Sequence, residues 1–176
     1  MSFFLLTTPW GMLGADMQGE SEEKITHVQW CEQEDDAPPV IPIKTPSRVL
    51  SRLKARDYLT MWVKAYSEGT IQPFDMTYLA MGALSHPMQK LHAFLMEIPY
   101  GQTTHYGFVA QHIGSSPRAV GQMLRRNRFA LIIPCHRITG QKGLLRGYGG
   151  LSGIERQRQL IDHERTYGQR YASQKR

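Results

Sequence analysis

Hydrophobic positions alternate through Ile25-Thr26-His27-Val28-Gln29-Trp30-Cys31 with the two-residue period of a half-buried strand. Upstream, Ser2-Phe3-Phe4-Leu5-Leu6 is apolar, and Thr8-Pro9-Trp10-Gly11-Met12-Leu13-Gly14 sets a turn between apolar segments. Residues 1–31 are therefore predicted to be strands, with a polar loop at 18–23 and Cys31 at a strand end or packed inside. The acidic, proline-bearing stretch 32–39 predicts a surface connection. From 47 to 66 the spacing lengthens: Leu50, Leu53, Tyr58, Met61, Trp62 and Ala65 recur three or four residues apart, as in an amphipathic helix or a pair of short ones, with Gly69 as its stop. Residues 70–78 are predicted extended and 82–86 a turn.

Pro87 suits the first turn of a helix that carries Leu91, Phe94 and Leu95 on one face, and Ile98-Pro99-Tyr100-Gly101 stops it. A threonine at Thr103-Thr104, the apolar positions Phe108, Val109 and Ile113, and the terminal Gly114 predict a short helix. Ser116 as N-cap and Pro117 at the first helical position start another almost at once, running to about Arg126. Two short helices joined by a tight glycine-containing turn make a helix-turn-helix candidate, with an ordinary helical hairpin as the competing reading. Gly121 in the second helix costs about 1 kcal/mol in intrinsic propensity, which points to crowding by a neighbouring helix or a ligand. Residues 129–133 are predicted to be a buried strand or extended run, 139–143 a turn, and 153–167 a last helix with Ile154, Leu160 and Ile161 inward. The polar residues 168–176 are predicted to fray.

Composition adds a sign to this layout. The 176 residues are 41% hydrophobic and 10% aromatic, enough for one substantial domain or two small lobes. Residues 1–100 hold 8 Lys+Arg against 12 Asp+Glu, a balance of −4, whereas residues 101–176 hold 13 against 3, a balance of +10. The net charge of +6 thus conceals a basic C-terminal part whose field attracts a polyanion, of which a nucleic-acid backbone is the commonest. The apolar N-terminus lacks a basic lead-in and is too short for a signal sequence or a membrane span, and the cysteines number only two, Cys31 and Cys135. A soluble protein of a reducing compartment is expected, cytoplasmic in a bacterium or archaeon and nuclear in a eukaryote. One cysteine with His27 nearby gives too few donors for a structural zinc, so no metal is expected.

The chemistry concentrates where the apolar run Ile132-Ile133-Pro134 ends in Cys135-His136-Arg137. A thiol attacks as thiolate, and an adjacent imidazole, directly or through one water, can take its proton. Taken alone the pair could equally be a small core cysteine beside an ordinary histidine. Tyr148, in the glycine-rich Gly147-Tyr148-Gly149-Gly150, could stack on a planar ligand or simply pack, and Glu164 by default is one more solvated carboxylate.

Pro134-Cys135-His136-Arg137, preceded by Arg118-Ala119-Val120-Gly121 and Asn127 and followed by Gly147-Tyr148 and Glu164, resembles the O6-alkylguanine-DNA alkyltransferases, the methylated-DNA–protein-cysteine methyltransferases. The likeness extends upstream through Ile98-Pro99-Tyr100-Gly101-Gln102-Thr103 and Tyr106, and is weaker before about residue 95. It implies an α+β chain in the broad α/β class, with a strand-rich N-terminal support lobe (1–86) packed on a mainly helical C-terminal lobe (87–176) that carries the helix-turn-helix and the alkyl transfer. It implies a stoichiometric, cofactor-free transfer of the alkyl group from O6-alkylguanine in double-stranded DNA onto Cys135, with O4-methylthymine left open as a second substrate. His136 would be the base acting through water, Glu164 would orient it, Asn127 would pin the turn, and Tyr106 would protonate the departing guanine. Arg118 would fill the gap left in the DNA stack. Small Ala119 and Gly121 would allow close approach to the minor groove, with Ser116 and Arg125 on the same DNA-binding face, and Tyr148, Ile138 and Gly149 would bind the base. A monomer is implied, with no membrane partner. Departures are the short Ser115-Ser116-Pro117 link, Arg128 for a common proline, His105 for a frequent serine and Gln157 for a frequent lysine. Two alternatives stand beside this: a non-catalytic binder of alkylated-DNA lesions, and a cysteine hydrolase, for which no separate oxyanion-hole motif is evident.

Overall fold

The computed structural model describes residues 2–19, 24–31, 54–82, 84–150 and 152–174. They form two compact units, Met1–Ala80 and Met81–Arg176. The predicted connection at 32–39 and the first residues of the predicted 47–66 helix, Leu50 and Leu53 among them, lie outside the described residues.

In the first unit, β1 (Ser2–Thr8), β2 (Gly11–Gln18) and β3 (Lys24–Cys31) form an antiparallel meander in the order β1-β2-β3. Alternation places Leu13, Ala15 and Met17 of β2 and Ile25, Val28 and Trp30 of β3 in the core, with an irregularity in register between Asp16 and Met17. Helix α1 (Ala55–Ser67) buries Leu59, Trp62, Val63 and Tyr66, spaced three or four apart. Trp62 packs edge-on to Phe74, and Trp10 edge-on to Tyr66. The predicted extended segment 70–78 ends in a 3-10 turn, Met76–Tyr78, because the Asp75 carboxylate accepts from the Thr77 backbone N–H at 2.9 Å and caps it.

The second unit is mainly helical, with one short ladder and a long stretch of turns before its last helix. Helix α2 (His86–Glu97) starts with Pro87 in its first turn and buries Leu91, Phe94 and Leu95, as its spacing requires. Strand β4 (Thr104–His105) pairs in parallel with β5 (Ile138–Thr139), Thr104 opposite Ile138 and His105 opposite Thr139. Helix α3 (Tyr106–Ile113) closes on Gly114 in the left-handed conformation, and α4 (Pro117–Arg125) opens on Ser116, whose hydroxyl accepts from the Ala119 N–H at 3.2 Å. The two short helices and the tight glycine-containing turn between them are thus present, and the helices pack on each other.

Four local expectations are corrected. The N-cap of α3 is His105, not a threonine: its Nδ1 accepts from the Phe108 N–H at 3.1 Å, a bond that the β4–β5 ladder holds in place. Phe108 lies half exposed beside His112. Residues 129–133, buried except for the half-buried Ala130, are not a strand. They fold into tight turns with Leu131 at φ 68°, because the Ile133 N–H returns to the Phe129 carbonyl. Helix α5 (Gly153–Gln174) continues past residue 167, and Ile154 faces outward at 51% exposure. Its inward stripe is Gly153, Arg156, Gln157, Leu160, Ile161 and Glu164, a three-four spacing in which polar residues take core positions.

Candidate active site at the Cys135 turn

Proline at 134 and the tight turns before it bring the chain into a 3-10 turn at Cys135–Arg137, which leaves Cys135 half-buried and His136 fully buried. Three elements fix that turn. The Asn127 amide, just past α4, donates to the Ile133 carbonyl at 3.3 Å and to Cys135 Sγ at 3.2 Å, while its oxygen accepts from the Phe129 N–H at 3.1 Å. Helix α5 brings Glu164 to 2.9 Å from His136 Nε2. The β4–β5 ladder follows the turn directly and sets Tyr106, first residue of α3, near Cys135.

Glu164 is the centre of the polar cluster and is entirely buried. Arg137 donates to both carboxylate oxygens, from Nε to Oε2 at 2.8 Å and from Nη2 to Oε1 at 2.8 Å, and its Nη1 donates to the Ile98 carbonyl at 2.6 Å. The Gly101 N–H donates to Oε2 at 3.0 Å. Residue 101 has to be glycine on two counts, because its φ is +79° and a Cβ there would sit 2.8 Å from the Glu164 carbonyl oxygen. Burial opposes the charge on Glu164, but His136 and the Arg137 guanidinium outweigh it and hold the carboxyl well below the usual range.

An ionised carboxylate can only accept, so the proton between Glu164 and His136 belongs to Nε2. Burial, only partly offset by Glu164, pushes the imidazole pKa down, so the ring is neutral and Nδ1 keeps its lone pair. That Nδ1 is buried and has no hydrogen-bond partner among the described residues. The arrangement is a base oriented by a buried carboxylate. Burial also raises the Cys135 thiol to about 11 against the opposing hydrogen bonds from Asn127 and Tyr148, so the sulfur is protonated at rest near neutral pH.

Tyr148 is buried against the cluster, not displayed on a surface loop: its ring lies edge-on to His136 at 5.4 Å, and its hydroxyl accepts from the Leu131 N–H at 2.5 Å. Ile138 is buried in β5, and Gly149 is exposed with its carbonyl bound by Arg156. Tyr106 is half-buried, and burial first, then the Cys135 charge, raise its pKa, so it stays a proton donor. On α4, Ser116, Arg118 and Arg125 are exposed, and Ala119 and Gly121 are half-buried. A Cβ at Gly121 would meet nothing closer than a Tyr106 ring carbon at 3.8 Å, so the chain's own packing does not demand a glycine there. Among the described residues no group of three or more His, Cys, Asp or Glu could hold a metal ion, and no helix is long and apolar enough to cross a membrane.

Sequence reasoning gave no role to two members of the cluster. Arg137 was visible only as part of a motif, and Gln157 only as a departure from one. The available signal was positional: Arg156, Gln157 and Glu164 share the stripe of α5 that also carries Leu160 and Ile161.

Residues 87–166 match the model of the DNA-binding domain of 6-O-methylguanine DNA methyltransferases. The methylated-DNA–protein-cysteine methyltransferase of Mycobacterium tuberculosis is 40% identical over 106 residues, 59% of this chain and 62% of that protein. The chain thus aligns to somewhat under two thirds of that relative's length. Among solved structures, Mycobacterium tuberculosis OGT in complex with DNA is 29% identical with a TM-score of 0.70, covering 94% of this chain and 93% of that one. A second structure, of the O6-methylguanine methyltransferase from the same organism, is 31% identical with a TM-score of 0.66, covering 94% of this chain and 93% of that one. With the motifs around Cys135, the family model over the second unit and these likenesses in fold all in agreement, the chain belongs to the O6-methylguanine-DNA methyltransferase family.

Proposed function

We propose that this protein repairs O6-alkylguanine in double-stranded DNA by moving the alkyl group irreversibly onto Cys135, once per molecule and without a cofactor. A methylated O6 presents an sp3 carbon to in-line attack by sulfur. The S–C bond forms as the C–O6 bond breaks, the thiol proton goes to His136, the guanine leaves after taking a proton from Tyr106, and the imidazolium and phenolate so formed return to neutral by exchanging a proton through solvent. The sum is thiol plus O6-methylguanine giving thioether plus guanine. The observation that carries the reading is His136, its Nε2 2.9 Å from the buried Glu164 carboxylate and its buried Nδ1 left without a partner among the described residues, one residue after a cysteine that Asn127 holds in place. A thiol with a pKa near 11 is inert until a base acts on it, so the sulfur is activated at the moment of reaction and not stored as thiolate.

The target carbon is out of reach inside a stacked duplex, so the base must be extruded at a cost of a few kcal/mol, which contacts outside the pocket can offset. The exposed Arg118 and Arg125 on α4, and the spare room at Gly121, support that face as the one laid on DNA, with Arg118 entering the stack. Tyr148, packed on His136, Ile138, which follows the turn, and Gly149, next to Tyr148, would contact the extruded base. The first unit is support, the second carries DNA binding and transfer, and the protein acts as a monomer away from membranes.

Duplex carrying O6-[3H-methyl]guanine should transfer label to at most one equivalent of protein, and intact mass should rise by one methyl located on Cys135. Cys135→Ala should lose all transfer while keeping affinity for the duplex. Label remaining on DNA with the unsubstituted protein would establish the lesion-binding alternative instead.

A further inference from the structure

One buried amide joins the two halves of the Cys135 site. Gln157 of α5 is 1% exposed, and all four of its hydrogen-bonding positions are filled by backbone. Its Nε2 donates to the His136 carbonyl at 3.1 Å and the Ile138 carbonyl at 2.8 Å. Its Oε1 accepts from the Arg146 and Gly147 N–H groups, both at 3.1 Å. The first pair holds the turn that carries Cys135 and His136. The second holds the backbone directly before Tyr148, whose hydroxyl reaches Leu131 and the Cys135 sulfur.

Only a neutral primary amide serves both sides. A lysine could donate to the two carbonyls but would face the two N–H groups with a cation, and a carboxylate would accept from the N–H groups but repel the carbonyls. A buried N–H or C=O left without a partner costs far more than one bond's net worth, so either change must move one of the two segments. Arg156 on the neighbouring position of α5 binds the Gly149 carbonyl, so the loop is held to the helix on both sides of Tyr148.

Resting on the function proposed above, we infer that Gln157 is a positioning residue for alkyl transfer: it sets the loop bearing Tyr148 in register with the turn bearing Cys135 and His136. It touches no reacting atom and works through those segments.

The test is single-turnover methyl transfer from an O6-methylguanine duplex at increasing DNA concentration, combined with the pH dependence of Cys135 carbamidomethylation by iodoacetamide in the absence of DNA. For Gln157→Met the maximal transfer rate should fall by about 10- to 100-fold, the loss expected when reacting groups are displaced by about 1 Å. The half-saturating DNA concentration should stay within about 3-fold, because the DNA face on α4 is untouched. Thiol titration should move to higher pH as the Tyr148 hydroxyl leaves the sulfur. Gln157→Lys and Gln157→Glu, each keeping one half of the clamp, should fall between Gln157→Met and the unsubstituted protein, and the Glu variant should recover towards acid pH as its carboxyl gains a proton to donate. These two decide the matter if Gln157→Met does not fold. A residue that merely supports the fold would lower the melting temperature and the reactive fraction but leave the maximal rate and thiol titration of the folded fraction unchanged, and that result would overturn the inference. Absence of transfer by the unsubstituted protein would instead overturn the proposed function, and the thiol titration alone would then decide the role of Gln157.

Discussion

The two units bury different things. The first is filled by apolar side chains and aromatic rings, Leu13, Met17, Ile25, Leu59, Trp62 and Phe74 among them, and Thr8 is its one buried polar residue among those described. The second buries His92, His136, Thr139, Arg156, Gln157 and Glu164. Hydrophobic burial is non-directional and tolerates rearrangement, whereas an ionised carboxylate without water is tolerable only with its partners in fixed places. The Glu164 cluster therefore stabilises less than apolar groups of the same volume would, and what it secures is a neutral imidazole with one defined tautomer beside the thiol. The difference between the units is the difference between a core that only holds and a core that also sets protonation states.

The sharpest way to break that contrast is Glu164→Gln. The amide offers two hydrogens where Gly101, Arg137 and His136 already donate, and it leaves the Arg137 guanidinium, 12% exposed, without its counter-charge. Removing one partner of a buried ion pair costs about 3–5 kcal/mol. Melting should show that loss, and transfer by whatever remains folded should fall by about 100-fold or more, as the base loses both orientation and charge compensation. The same cluster dictates acid sensitivity. Glu164 has a depressed pKa in the folded protein, so its contribution is present above the ordinary carboxylate range and is lost as pH falls below about 4 towards the depressed value. His136 is held neutral, so below about pH 6.5 the unfolded chain binds a proton that the folded one refuses. Both effects lower stability with falling pH. Amide exchange should show α5 and the Cys135 turn opening at a higher pH than the β1–β3 sheet, and Glu164→Gln should flatten the part of that response below pH 5. Equal acid sensitivity in both units would remove the contrast.

The apolar core is tested by Leu59→Ala, which removes a fully buried side chain from α1 and should cost about 2–5 kcal/mol by loss of burial plus the cavity left behind. Against Glu164→Gln the difference is one of kind. The single-turnover rate of the folded fraction should match the unsubstituted protein, and the pH at which Cys135 titrates should not move. A change in either would mean that the first unit tunes the chemistry.

How legible each unit was follows from the same contrast. Period-two alternation in β3 and the 3.6 spacing in α2 report burial, whereas in α1 the spacing marks a helix but not its inward side: Tyr58, Met61 and Ala65 are half-buried, and Leu59, Val63 and Tyr66 pack inward beside Trp62. Such patterns failed where a polar contact overrides them. His105 caps α3 through a ring nitrogen, which no threonine-based cap rule anticipates. Residues 129–133 are apolar enough for a strand, but Asn127 and the Tyr148 hydroxyl take up the backbone groups at Phe129 and Leu131, and the run curls. On α5, Ile154 reads as core by hydropathy, yet the buried stripe begins one residue earlier and continues through Arg156, Gln157 and Glu164. Cys135, His136, Glu164 and Asn127 were named from motif resemblance. Their assembly around one carboxylate, with Arg137 and Gln157, depends on contacts between residues far apart in the sequence, for which a single chain carries no periodic signal.

The finest test of the comparison lies at the entry to α4, where the basic face meets ordinary helix physics. Ser116 is exposed, and its hydroxyl satisfies the Ala119 N–H at the end of the helix that also presents Arg118. Ser116→Ala removes that acceptor and should cost about 1 kcal/mol, whereas Ser116→Gly should cost only a few tenths because a glycine leaves the end of the helix open to water. If the cap serves stability alone, affinity for undamaged duplex should be unchanged in both variants, measured at fixed salt because phosphate contacts make it steeply salt-dependent. If α4 lies on DNA as proposed, the freed Ala119 N–H and the frayed first turn should weaken duplex binding in proportion to the lost cap, more for alanine than for glycine, and leave the transfer rate at saturating DNA intact. That separation holds only if the helix face binds and the Cys135 turn reacts, so a loss of saturating rate in Ser116→Ala would mean that cap and turn act as one piece.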